Sequence, residues 1–102
     1  MVRRIGFDEA GRLLQSRADC VLLDVREEAE YITGHAVDAR LLPVDEITPE
    51  RAQRELPDKG APILLYCRSG RRSRRAAALL DSYGYRELYD LGSLIGWPYG
   101  LE

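Results

Sequence analysis

The chain has 102 residues, 45% of them hydrophobic, and carries 15 Lys and Arg against 17 Asp and Glu for a net charge of −2. That length suits one domain, expected over residues 1–102, with a single core. No stretch approaches the roughly 18 apolar residues of a membrane span, and Met1-Val2-Arg3-Arg4 lacks the apolar core of a signal peptide, so a cytoplasmic protein without a membrane partner is expected.

In chain order, Arg3 to Ile5 reads as a short edge strand, followed by a helix from about Phe7 to Ser16 with Phe7, Ala10, Leu13 and Leu14 on one face. Cys20 to Asp24 is a better-defined strand. Glu27 to Ile32 reads as a short helix stopped near Gly34, and Ala39 to Leu42 as a strand closed by Pro43. Thr48 is placed to cap a helix with Pro49 at its first position, running to about Leu56. Ile63 to Tyr66 reads as a buried strand, with Cys67 at its carboxyl end as an exposed loop cysteine. Ser73 can cap a helix whose Ala76, Leu79, Leu80 and Tyr83 recur at helical spacing up to Gly84, and Glu87 to Leu91 supplies a last strand. Alternating strands and helices predict an α/β fold with a mainly parallel central sheet, helices on both faces, and a ligand site beyond the strands' carboxyl ends. The aromatic residues Tyr83, Tyr85, Tyr89, Trp97 and Tyr99 read as a packed end of the domain.

The chemistry concentrates at Cys67-Arg68-Ser69-Gly70-Arg71-Arg72-Ser73, where an apolar strand delivers a cysteine into a loop of glycine, hydroxyl and guanidinium groups. The thiolate is the reactive form of cysteine, and a helix N-terminus with nearby arginines favours it. Charge is distributed to match: residues 19–58 hold 11 acids and 4 bases, whereas residues 59–102 hold 7 bases and 4 acids. A positive field confined to one loop argues for a small-anion site and against a nucleic-acid binder. Cys20, Cys67 and His35 are the only Cys and His residues and have no ligand spacing, so neither a metal nor another cofactor is expected. Cys20 reads as core packing.

Several motifs, in this order, resemble the rhodanese family over nearly the whole chain. Val21-Leu22-Leu23-Asp24-Val25-Arg26 is similar to its apolar strand ending in Asp-Val-Arg, and Glu30-Tyr31-Ile32-Thr33-Gly34-His35-Ala36 to its E-[YF]-x-x-G-H segment. Cys67 to Ser73 resembles the active loop C-x-x-G-x-R-[ST], and Gly84-Tyr85 with Asp90 to Trp97 the closing segment. Leu41, Asp38 and Ser93 depart from a frequent Asn, Gly and Gly of the family, all at turn and packing positions.

The resemblance implies a sulfurtransferase in which Cys67 takes a sulfane sulfur from an anionic donor such as thiosulfate, becomes a persulfide, and passes the sulfur to a thiol or to cyanide. Backbone N–H groups from Arg68 to Ser73, including Ser69 and Gly70, would cradle the outer sulfur. Arg68 and Arg71 are expected to contact donor oxygens and Arg72 to brace the loop, with Asp24 and Arg26 as a supporting ion pair. His35 is expected to tie its own turn. Two other readings stand beside this one. A phosphatase or arsenate reductase of the same fold would carry Cys-x5-Arg, one residue longer than the Cys-x4-Arg from Cys67 to Arg72. A sulfur-carrier or docking module would use Arg71, Arg74 and Arg75 as a patch for an acidic protein acceptor or a thiolated RNA.

Overall fold

The computed structural model describes residues 1–102. Five strands, β1 (Val2–Arg4), β2 (Val21–Asp24), β3 (Arg40–Leu41), β4 (Ile63–Cys67) and β5 (Leu88–Ser93), form one sheet in the order β1-β5-β4-β2-β3, and every pairing is parallel. The central β4 is buried along its whole length. A strand covered on both faces reads as a continuous apolar run, as Ile63-Leu64-Leu65-Tyr66 does. Its side chains alternate between two cores: Ile63, Leu65 and Cys67 join one cluster, and Leu64 and Tyr66 the other.

Helices cover both faces. Of α1 (Phe7–Ser16), α2 (Glu28–Thr33), α3 (Pro49–Glu55) and α4 (Arg71–Ser82), α3 and α4 bury Ala52, Ala76, Ala77 and Leu80 against the first cluster. On the opposite face α1 sets Phe7, Ala10, Leu13 and Leu14 on Leu22, Leu64 and Leu91. Thr48 caps α3 as its sequence predicts, accepting the Arg51 N–H at 3.1 Å, with Pro49 in the first turn.

Local hydrogen bonding moves several boundaries from their expected places. Cys20 lies outside β2 because its N–H closes a turn on Arg17 O, and pairing starts when Val21 N–H reaches Pro62 O. β1 runs one residue earlier than expected, and β5 extends beyond Leu91 through a bulge that pairs Leu65 with Asp90 and then Tyr66 with Gly92. Asp38 adopts φ 68°, a left-handed conformation that Asp tolerates better than most side chains.

The C-terminal aromatics do not pack as one end of the domain, because Tyr83 and Tyr85 join the first cluster and Tyr89 and Trp97 the second. Trp97 stands edge-on between Phe7 and Tyr99, with ring centroids 5.4 and 5.0 Å apart, and Tyr99 Oη donates to Phe7 O. The chain then pairs Leu101 with Ala36 in a single antiparallel bridge beside the carboxyl end of the sheet.

Candidate active site

Cys67 is the last residue of β4, and Gly70 turns the chain into α4 within three residues. The turn needs Gly70 at φ 94°, and a side chain there would meet the backbone of Gly92 at 3.5 Å. The expected capping role of Ser73 is therefore corrected: Gly70 is the N-cap, and Ser73 sits buried in the first turn with its Oγ bonded to Gly70 O and Asp90 Oδ1. A second correction concerns Cys67 itself. The register of β4 carries it into the core, where it is 0% exposed, although its loop chemistry suggested an exposed thiol.

Burial pushes the Cys67 thiol up. Hydrogen bonds from the backbone N–H groups of Ser73, Gly70 and Ser69, with the Ser73 hydroxyl beside them, outweigh that cost and hold it below the usual cysteine value. Gly70 N–H lies 2.9 Å from the sulfur. These are orphan donors of a helix start aimed at one atom, an arrangement that favours an anion. The arginines play a smaller part in the thiol's acidity than their number suggests, because the leading lowering effects all come from these hydrogen bonds.

The guanidinium groups divide. Arg72 forms two hydrogen bonds with Glu30, tying the loop to α2 across 42 residues of sequence and holding the Glu30 carboxyl down at about 2. Arg68 faces one groove, of about 440 Å³, bounded by Arg26, Glu30, Leu94, Trp97 and Leu101. Arg71 faces another depression, of about 650 Å³, shared with Ser69, Arg72, Arg74 and Arg75. Arg75 pairs with Asp45, whereas Arg68, Arg71 and Arg74 make no ion pair. Cys67 lines neither hollow.

Asp24 is fully buried and receives Arg26 Nη2 at 2.7 Å, the Arg26 backbone N–H at 2.9 Å and the Tyr66 hydroxyl at 2.6 Å. Arg26 also donates to Gly34 O at 2.8 Å, and Tyr66 Oη accepts the Ala36 N–H. This network anchors the segment after α2 that forms one wall of the Arg68 groove. His35 Nδ1 lies 2.9 Å from Tyr31 O and donates to it, and the two rings stack at 3.6 Å, so the imidazole serves its own turn. Cys20 belongs elsewhere: the register of Val21 with Ile63 leaves it about five residues, or ~16 Å, from Cys67 along the strands. Burial and Asp19 push its thiol up to about 11. Glu30 as the partner of Arg72, and Asp90 as the partner of Ser73, escape a sequence reading. The one signal for Asp90 is an acid inside the apolar run Leu88-Tyr89-Asp90-Leu91.

A family model described as a rhodanese-like domain matches residues 7–97. A sulfurtransferase of Allochromatium vinosum is 37% identical over 98 residues, covering 95% of this chain and 89% of that protein. A thiosulfate sulfurtransferase of Coxiella burnetii is 33% identical, covering 89% of this chain and 81% of its own length. Among solved structures, the Alr3790 protein of Anabaena superposes with a TM-score of 0.86 at 25% identity, covering 96% of this chain and 90% of that one. A rhodanese with anions from E. coli gives a TM-score of 0.75 at 29% identity over 81% of this chain and 96% of that one.

The N–H cradle has a direct readout. The rate of Cys67 alkylation against pH is expected to have its midpoint below about 8.5, the model-peptide value, with Cys20 reacting only at far higher pH. The Glu30–Arg72 brace has another. Glu30 has its carboxyl lowered on folding, so its contribution is present above the unfolded value of about 4.3 and is lost as pH falls toward about 2. Glu30→Gln should lower the unfolding free energy from urea titration at neutral pH by no more than about 1 kcal/mol for a pair this exposed, with the difference from the parent protein closing below pH ~4.

Proposed function

Because the chain belongs to the rhodanese-like domain family, we propose that it is a thiosulfate sulfurtransferase working through a Cys67 persulfide. The observation that carries this reading is the single buried sulfur at the focus of loop N–H groups from Ser69, Gly70 and Ser73. The Cys67 thiolate attacks the outer sulfur of thiosulfate. A bond forms from Sγ to that sulfur, the donor's S–S bond breaks, and sulfite departs with the electron pair. The persulfide ionises readily, and the same N–H groups stabilise its charge without reorganising. A cyanide or thiol nucleophile then bonds the outer sulfur, the Sγ–S bond breaks, and Sγ takes back its pair as thiolate. No general base is needed when the loop already holds the thiolate.

Arg68 and Arg71, both free of acidic partners, are assigned to the oxyanion end of the donor from opposite sides of the loop, and Arg72 to bracing. The tight turn from Cys67 to Arg72 favours a sulfur atom over the larger tetrahedral phosphate or arsenate that a Cys-x5-Arg loop accepts. A sulfur-carrier reading rests on a separate observation. Arg71 and Arg74 lie unpaired in one depression with Arg75, and this patch suits an acidic protein acceptor better than RNA, because no aromatic side chain lines it for base stacking. Carrier and enzyme would share the persulfide and differ in turnover.

Cys67→Ser is expected to abolish thiocyanate formation from thiosulfate and cyanide, whereas Cys20→Ser retains most of it; substantial transfer by Cys67→Ser contradicts the mechanism. Arg68→Ala should raise KM for thiosulfate about tenfold, matching the ~1.5 kcal/mol or more of a charged hydrogen bond, and leave a neutral persulfide donor little affected. Equal losses with both donors would assign Arg68 to loop structure.

A further inference from the structure

We propose that the groove beside Arg68 is the binding site for an organic thiol acceptor that carries an apolar body and a single carboxylate. This rests on the persulfide reading and names the class of acceptor, which that reading leaves open between cyanide and any thiol. The groove, of about 440 Å³, is large enough for a small organic molecule. Leu94, Ile95, Trp97 and Leu101 form its apolar side, and Ile95 and Leu101 stand 77% and 60% exposed. Large apolar side chains left open to water around one hollow mark a place where an apolar group is received.

The charge of the groove comes to one cation. Arg26 is held by the buried Asp24, and Glu30 is held by Arg72, so both pairs cancel. Arg68 has no acidic partner and is the charge left over. The depression that Arg71 faces has the opposite character: Arg71, Arg72, Arg74 and Arg75 line it with Ser69, and Ala78 is its one apolar residue. A small inorganic anion gains little from an apolar wall, and an alkyl chain gains little from a ring of guanidinium groups. The two hollows therefore suit different ligands, and only the Arg68 groove matches both halves of an amphipathic monoanion.

The groove adjoins the residue that bears the sulfur. Arg68 follows Cys67 directly, Ser93 is in register with Cys67, and Leu94 N–H donates to Cys67 O at 3.0 Å. Donor and acceptor use Arg68 in turn. Once sulfite has left, the acceptor's carboxylate pairs with Arg68 and its body lies on Ile95 and Leu101. Its thiol loses a proton to solvent and bonds the outer sulfur of the persulfide; the Sγ–S bond breaks and Cys67 Sγ takes back the pair.

Octanoate probes the site without any sulfur chemistry, read by the emission of Trp97, the chain's only tryptophan, and by titration calorimetry. It should bind saturably, and about tenfold more tightly than either butyrate or octylammonium. Arg68→Ala and Ile95→Ser should each weaken it severalfold; Ile95 is exposed enough that serine leaves the fold intact. Discharge of the preformed persulfide to mercaptohexanoate should exceed that to mercaptopropionate about tenfold in kcat/KM, and Ile95→Ser should erase most of that advantage while discharge to cyanide stays unchanged. No saturable binding, equal binding of octanoate and octylammonium, or an advantage that survives Ile95→Ser would overturn the proposal. Trp97 also borders a hollow of about 380 Å³ beside α1 and Cys20. Octanoate binding that neither variant weakens would belong there, and the proposal would fall. Because octanoate carries no sulfur, its failure to bind is distinguishable from a failure of Cys67 to take sulfur from thiosulfate.

Discussion

A buried thiolate has to be solvated by the protein, and at Cys67 that solvation comes from backbone N–H groups at the start of α4. With the sulfur at 0% exposure, burial by itself favours the neutral thiol. The geometry that reverses this needs three elements at once: a strand ending at the sulfur, a glycine able to turn at φ 94°, and a helix whose first N–H groups have no partner in their own helix. Most of the other features around the loop hold those three in place.

The braces reach the loop from both sides. From α2, Glu30 grips Arg72; from β5, Asp90 grips Ser73, while the bulge after Leu65 brings Gly92 up against Gly70. Behind α2, the Asp24–Arg26–Tyr66 network fixes the segment through Gly34 and Ala36. The C-terminal segment then pairs with Ala36 and lends Trp97 and Leu101 to the groove beside Arg68. Loop position is thus set by contacts far apart in sequence, and a displaced brace would disturb an acidity generated entirely at the loop.

This explains which parts were legible in the sequence. β4 was readable because a central parallel strand is apolar throughout, and the loop was readable because Gly70 and the following helical spacing mark where the chain must turn. The long-range partners were not, since nothing local in Arg72 or Ser73 points to Glu30 or Asp90. Ser73 looked like a cap because serine is a common cap, but Gly70 takes that position by its own conformational freedom, which releases the hydroxyl for Asp90. Cys67 looked exposed because its neighbours are polar, and only the register of β4 reveals that its side chain belongs to the core. The positive field confined to one loop suggested a single small-anion site; instead Arg68 lines one hollow, Arg71, Arg72, Arg74 and Arg75 line another, and Arg72 and Arg75 are held in ion pairs.

The central claim is that one sulfur, Cys67 Sγ, is prepared to accept and hold a sulfane sulfur. Peptide-level mass spectrometry after brief incubation with thiosulfate, followed by alkylation, tests it most directly. The account predicts one additional sulfur atom on the peptide containing Cys67 and none on the peptide containing Cys20. An unmodified Cys67 peptide, or sulfur distributed equally between the two cysteines, would contradict it.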